Sequence, residues 1–171
     1  NSIQIENVGL VVGLHGTGSD PNPSRWKTRL LEIMRRNAVP NPKSLLARSD
    51  TALVIIRAFL PPGARPGDLV DAEVVIPDGS EVTNLRHGWL MEADLMQTMH
   101  LGGRIREGRV LSKVDGPIVV ASDKGNPGDT ALQRRGRLLG RVRVTMGRSY
   151  QMIVAKKYRR FKTSRQLEQT I

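Results

Sequence analysis

A glycine-rich segment, residues 10–23, joins an apolar stretch to a loop and is the first candidate for chemistry in this sequence. Gly13 and Gly18 have the separation found in phosphate-binding loops, where glycines let backbone N–H groups approach phosphate oxygens. Such a loop continues with Lys and then Ser or Thr, but here Ser19 and Asp20 follow, and the Asp20 carboxylate would repel a phosphate. We therefore expect a turn in which glycines adopt positive φ angles, rather than a nucleotide site.

The same segment contains a strand that ends in His-Gly-x-Gly, which in esterases and lipases can present backbone N–H groups to an oxyanion. That chemistry also requires a Gly-x-Ser-x-Gly elbow, followed along the chain by an acid and a histidine. No such elbow follows, and the two later histidines, His87 and His100, both precede Ser149. We therefore expect no hydrolase activity and, from the residues, no enzyme.

The histidines also lack the spacing of a metal site. His15, His87 and His100 are isolated, and no two of them are three or four residues apart. The sequence has no cysteine, so thiolate metal ligands, disulfides and a thiol nucleophile are excluded for this chain. We expect neither a metal nor an organic cofactor.

Positive charge is concentrated towards the end of the sequence. Residues 134–171 contain 12 of the 27 Lys and Arg residues but only one of the 16 acidic residues, so they account for the whole formal charge of +11. Arg141 and Arg143 alternate with apolar residues and would share one face of a strand. The candidate contacts with a partner are therefore Arg134, Arg135, Arg137, Arg141, Arg143, Lys156, Lys157, Arg159, Arg160 and Lys162.

The residues alone leave the nature of that partner open. Residues 156–162 interleave Tyr158 and Phe161 with five cations, an arrangement that could hold phosphates and stack on bases. Residues 134–162 could therefore form a nucleic-acid-binding module, although neither an RNA-recognition signature nor paired zinc ligands accompany them. An acidic protein surface, an anionic glycan or an anionic lipid would fit the same charge.

Length and composition are those of a single folded domain. A chain of 171 residues with 39% hydrophobic residues can bury one sizeable core, and that core must be mainly aliphatic because aromatic residues make up only 4%. No apolar run approaches the roughly 20 residues of a membrane-spanning helix. The first residues lack a basic start and an apolar centre, so no export signal is visible.

Two segments give the clearest local predictions. Residues 51–60 are largely apolar, which predicts a strand, and Ser24 precedes an apolar stripe at helical spacing, which predicts a helix that Asn37 closes. Residues 88–95 fit a strand or a helix equally well. Further strands are expected at residues 10–14, 69–76, 110–111, 118–121, 141–146 and 150–157.

These elements predict a single α+β domain over residues 1–171. We expect a mixed or antiparallel sheet, one helix near residues 24–36 and a terminal helix from about residue 163, where Thr163 and Gln166 have the spacing of a capping box. A sub-boundary is expected in the loop of residues 123–133. Because the last residues contain no helix stop signal, we expect the domain to be a fragment of a longer chain.

Two longer motifs follow one another along the chain. VGLVVGLHGTGSD, residues 8–20, runs a strand into a Gly-Thr-Gly turn, and TALVIIRAFLPPGARPGDLVDAEV, residues 51–74, places Pro-Pro, a basic residue and Pro-Gly between two strands. Both are similar to motifs of the flagellar P-ring protein family, whose turn has Asn where this chain has His15. NLRHGWLM, residues 84–91, and YRRFKTSRQLEQTI, residues 158–171, are weaker likenesses. The resemblance covers most of the chain and corresponds to the amino-terminal half of family members.

The resemblance implies a structural protein without enzymatic activity. Members of that family are exported to the periplasm and assemble into a homo-oligomeric ring around the rod of the bacterial flagellar basal body. It therefore implies the rod, and peptidoglycan or the outer-ring protein, as partners; nucleic acid is the alternative. A closed ring requires two different contact surfaces on each copy. We expect part of the basic surface of residues 134–162 to face a neighbouring copy or an acidic partner.

Overall fold

The computed structural model describes residues 1–101, 104–121 and 130–149, and for residues 98–101, 104–107 and 130 it describes the backbone alone. Among these residues there is no helix long and apolar enough to cross a membrane. In chain order the elements are β1 (Ile3–Val12), α1 (Arg25–Arg36), α2 (Pro42–Leu46), β2 (Ala52–Leu60), β3 (Leu69–Val75), β4 (Trp89–Leu101), β5 (Arg104–Pro117), β6 (Val119–Val120), α3 (Thr130–Gln133) and β7 (Arg135–Val144).

The strands of the described residues form one antiparallel sheet that closes on itself. Six of them follow in the order β3, β2, β1, β4, β5 and β7, and β3 then pairs with β7, from Leu69 opposite Arg143 to Val75 opposite Arg135. The short strand β6 pairs with the start of β7. The result is a closed barrel of six antiparallel strands.

The barrel interior is filled by aliphatic side chains, as the low aromatic content predicts. Successive side chains of a strand point to opposite faces, so every second residue contributes to this core. Fully burying a large aliphatic side chain contributes about 1.5–3 kcal/mol. Representative core residues from all six strands are Ile5, Val11, Val54, Ile56, Leu60, Val74, Leu90, Leu95, Val114, Leu138 and Val142.

Helix α1 covers the outer face of β1 and β2. It begins after Ser24, whose Oγ accepts a hydrogen bond from the Lys27 N–H at 3.1 Å, and Asn37 ends it, as predicted. The apolar stripe of α1 faces the barrel, and the short helix α2 adds one further buried side chain. The buried cluster between the helices and the strands consists of Val8, Leu10, Leu30, Met34, Leu46 and Leu53.

A buried polar link fastens α1 to the barrel. The Arg29 Nε donates to Asn7 Oδ1 at 2.7 Å, and Asn7 Nδ2 donates to the carbonyl oxygen of Asp94 at 2.7 Å. Asn7 is only 5% exposed, and burial lowers the pKa of the Arg29 guanidinium. The link joins α1, β1 and β4, so it positions the helix as well as satisfying buried polar groups.

The prediction of an α+β fold was wrong. Residues 88–95, which fit a strand or a helix by periodicity, belong to β4, and β4 pairs with β5 in a long hairpin. The β3–β7 pairing then closes the sheet, leaving no face for a helical layer on the inside. In the described part of the chain, helix is limited to the 12 residues of α1 and to two pieces of five and four residues.

Several local predictions are confirmed. The sheet is antiparallel, and the helix predicted near residues 24–36 is α1. The loop predicted over residues 123–133 is wrong for Thr130–Gln133, which form the helical turn of α3, and its residues 123–129 lie outside the described residues. The sub-boundary expected there stays a prediction. The strand predicted at 150–157 and the terminal helix predicted from 163 also lie outside them. That the whole chain forms a single domain stays a prediction.

Candidate functional site

Strand β7 presents a row of basic side chains on the outer face of the barrel. Arg135, Arg137, Leu139, Arg141 and Arg143 are exposed, whereas the residues between them are buried or partly buried. The prediction that Arg141 and Arg143 share one strand face is confirmed. The structure therefore brings four of the candidate contact residues, with one leucine among them, onto a single surface.

Two arginines of this row are held by carboxylates of neighbouring strands. Arg137 Nη2 lies 3.3 Å from Asp71 Oδ2 on β3. Arg141 Nε donates to the Asp115 carbonyl oxygen at 3.0 Å, and its Nη2 lies 3.5 Å from the Asp115 carboxylate. Exposed ion pairs of this kind contribute about 0–1 kcal/mol each, so they orient the side chains more than they stabilise the fold.

The other candidate residues differ in what they can contact. Within the described residues, Arg135 and Arg143 make no ion pair or side-chain hydrogen bond, so their charges are available to a partner. Arg134 is partly buried, and its guanidinium donates to the carbonyl oxygens of Ser80 at 3.0 Å and Pro77 at 3.4 Å, so it holds a turn. The remaining candidates lie outside the described residues: Lys156, Lys157, Arg159, Arg160 and Lys162.

An open groove of about 870 Å³ lies beside this row, across the outer faces of β2, β3 and β7. Its large apolar side chains Phe59, Val119, Leu132 and Leu139 are 60, 51, 47 and 54% exposed. Sequence patterns do not distinguish these side chains, because an apolar residue is expected to be buried. The alternation of side chains along a strand could have identified Leu139, because it lies two residues from the exposed Arg141 and therefore on the same face of β7.

A second exposed apolar patch lies at the start of β4. Trp89 and Met91 are 45 and 48% exposed, and the Arg141 guanidinium carbon lies 5.9 Å from the centroid of the Trp89 ring. Next to them, Lys113 on β5 donates to the Glu92 carboxylate at 2.8 Å, which raises the pKa of the lysine. The patch therefore lies on β4 and β5 and reaches β7, which also lines the groove, through Arg141.

The glycine-rich segment forms a packed turn. Gly13 and Gly16 have φ angles of 77° and 79°, which confirms the prediction of positive φ. The Gly18 N–H donates to the Ser49 carbonyl oxygen at 2.8 Å, so this donor is not available to a phosphate or an oxyanion. A side chain at Gly18 would collide with the Thr51 carbonyl oxygen, so close backbone packing requires glycine there.

Two of the three histidines are brought together by the fold. The His15 and His87 rings stack with centroids 4.5 Å apart and planes 11° from parallel. His100 lies in β4, on another part of the chain. Among the described residues no group of three or more metal-ligating side chains occurs. The stacked pair connects the loop after β1 to the turn before β4.

Exposed arginines and apolar side chains spread over several strands are typical of a surface that contacts other macromolecules. The family model for the flagellar P-ring protein matches residues 1–168. The flagellar P-ring protein of Thermotoga maritima is 29% identical over 137 residues, which are 80% of this chain and 38% of the relative. That of Fervidobacterium nodosum is 30% identical over 141 residues, 81% of this chain and 38% of the relative. That of Anaeromyxobacter sp. (strain K) is 32% identical over 135 residues, 78% of this chain and 34% of the relative.

The chain belongs to the flagellar P-ring protein family, because the family match covers nearly all of its residues. The resemblance carried by residues 8–20 and 51–74 is therefore confirmed. The chain spans less than two fifths of the length of these curated relatives. The relatives are all named flagellar P-ring proteins, so the nucleic-acid alternative gains no support from them.

Proposed function

We propose that this chain is a structural part of a flagellar P ring, in which copies of the full-length protein assemble around the rod of the basal body in the periplasm. The observation that carries the proposal is the family match over residues 1–168. The outer surface of β7 supports it, because a ring subunit acts through broad contacts with neighbours and with the rod. The partners are further copies of the same protein and the rod, with peptidoglycan or the outer-ring protein at the ring's outer side.

The exposed arginines of β7 are proposed to contact an acidic partner surface. Arg135 and Arg143 stand at opposite ends of the strand, and neither is neutralised within the described residues. Charged groups at the rim of an interface mainly set orientation and the rate of association, and they add little adhesion. That property suits a ring that must be centred on a rod without sticking to it.

The test replaces both free arginines in cells whose only copy is the full-length variant. Arg135→Glu with Arg143→Glu should abolish ring assembly or motility, because an acidic partner would then meet acidic side chains. These two positions are preferable to Arg141, whose guanidinium donates to the Asp115 carbonyl oxygen, so that its reversal would also remove a contact within the chain. The readouts are motility in soft agar and the yield of rings in isolated basal bodies.

A matched control carries the same change of charge on the helical side of the barrel. Lys43→Glu with Arg35→Glu alters two exposed cations on α2 and α1, away from β7. This control should assemble normally. Normal motility in the Arg135 and Arg143 variant would contradict the proposed contact, while failure of the unaltered protein to form rings would contradict the proposed function itself.

A further inference from the structure

The hairpin of β4 and β5 extends beyond the strands on either side of it. Within the described residues, β1 pairs with β4 only as far as Gln97, and β7 pairs with β5 only as far as Ser112. After these points β4 and β5 still pair with each other. This extension, residues 98–101 and 104–110, is the β4–β5 arm. At about 3.4 Å per residue, its β5 strand is about 24 Å long.

The β4–β5 arm has two strand edges that no strand of the described residues covers. In the closed barrel the strands pair on both sides, so that part of the sheet offers no edge. The arm has one edge on β4 and one on β5, and each is a row of backbone N–H and C=O groups. A two-stranded ribbon by itself is at best marginally stable in water. A third strand along either edge would therefore stabilise the arm.

The two edges of the arm differ in charge. Residues 98–101 on β4 contain no Lys, Arg, Asp or Glu. Residues 104–110 on β5 contain three arginines and one glutamate, a net charge of +2. Two β5 edges would therefore repel each other, whereas a β5 edge meets no like charge on a β4 edge. The charges favour pairing of a β5 edge with a β4 edge.

The geometry of a ring favours the same pairing. Copies related by the rotation of a ring all have the same orientation relative to its axis. When arms of neighbouring copies lie side by side, the β5 edge of one therefore faces the β4 edge of the next. Because β4 and β5 are antiparallel within each arm, the new strand pair is also antiparallel, as are the strand pairs of the described sheet.

We propose that the β5 edge of one arm pairs with the β4 edge of the arm of a neighbouring copy. The proposal rests on the proposed function, in which copies of the full-length protein form a ring. Main-chain hydrogen bonds supply the affinity of such strand addition. The contact is head to tail, so each arm uses one edge for each of its two neighbours.

Disulfide formation in assembled rings of the full-length protein tests the arm contact. The chain has no cysteine, and a disulfide requires Cα atoms about 4.4–6.8 Å apart, a distance that adjacent strands provide. Copies with Arg106→Cys on β5 are produced together with copies that carry one cysteine on β4, and the isolated rings are oxidised. The β4 variants, each used in a separate mixture, are Thr98→Cys, Met99→Cys, His100→Cys and Leu101→Cys.

We expect disulfide-linked dimers at alternate β4 positions, because successive side chains of a strand point to opposite faces. No variant alone should give dimers, since the same strand in neighbouring arms is two strand spacings away, about 9.6 Å. The matched control is Arg35→Cys on the exposed side of α1, which should give no dimer with Arg106→Cys. A thermal midpoint equal to that of the unaltered protein verifies that each variant is folded.

The outcomes separate the arm contact from the ring function. Normal rings with no dimer at any β4 position, or with equal dimer yields at all of them, overturn the arm contact and leave the ring function standing. Dimers from Arg106→Cys alone, or from one β4 variant alone, would show pairing of like edges and would also overturn it. If the unaltered protein forms no rings, the proposed function and the arm contact are both overturned.

The rest of the same chain is the alternative occupant of the β5 edge. The measurement is an internal disulfide between Arg106→Cys and a second cysteine, scanned through residues 150–157 in the same full-length chain. We expect none, and the oxidised chain should migrate as the reduced one does. A faster-migrating monomer at alternate positions would show that the chain covers its own edge and would overturn the arm contact.

Discussion

Two outer faces of the same barrel differ in the solvent exposure of their apolar side chains. On β1 and the start of β2, outward-pointing aliphatic residues such as Val8, Leu10 and Leu53 are sealed under α1 and α2. Across the end of β2, β3 and β7, outward-pointing Phe59 and Leu139 remain open to solvent among arginines and acids. The covered face serves the stability of the chain, whereas the open face leaves apolar surface for contacts with other molecules.

The difference in exposure between the two faces determines which free energy their apolar side chains contribute to. Burying a large apolar side chain contributes about 1.5–3 kcal/mol wherever it takes place, but on the covered face this gain stabilises the fold, and on the open face it can be realised only on binding. Substitutions on the two faces should therefore affect different measurements. Those beneath α1 should lower the free energy of unfolding, and those in the groove should change assembly alone.

The largest effect on stability is expected under the helix. Leu30→Ala removes a side chain that is buried against the barrel and leaves a cavity, so it should lower the free energy of unfolding by about 3 kcal/mol. The matched variant, Phe59→Ala, deletes a larger side chain from the open face and should change it by less than about 0.5 kcal/mol. Urea unfolding of the full-length protein, followed by circular dichroism, measures both. Equal losses for the two variants would show that the faces do not differ.

A smaller loss is expected from the polar link beneath the same helix. Asn7→Ala removes the acceptor of the Arg29 Nε and the donor to the Asp94 carbonyl oxygen, so a partly buried charged donor is left with fewer partners. The expected cost is about 2 kcal/mol, measured by the same urea titration. Gln4→Ala, an exposed amide on the same strand, is the control and should be nearly neutral. An unchanged midpoint for Asn7→Ala would show that the link does not hold α1 in place.

Sequence patterns predicted the covered face better than the open one, for a physical reason. Ser24 and the apolar stripe of α1 are local signals, and the run in β2 is apolar enough to be recognised by itself. The open face exists only because β3 pairs with β7, in a register that sets Glu73 opposite Arg137 across more than sixty residues of sequence. Periodicity carries no information about such a long-range pairing, so neither the closed barrel nor the groove followed from it.

The smallest loss of stability is expected at the start of α1. A substitution there weakens the helix that covers β1 and β2 and leaves the apolar side chains of both faces unchanged. Ser24→Ala removes the oxygen that accepts from the Lys27 N–H and should lower the free energy of unfolding by about 1 kcal/mol. Ser24→Asp keeps an acceptor at the same position and should restore stability, helped by the favourable interaction of a negative charge with a helix N-terminus. Ring yield should be normal in both variants, since the exposed arginines of β7 are unchanged. A fall in ring yield that follows the stability loss would mean that the helical side also takes part in assembly.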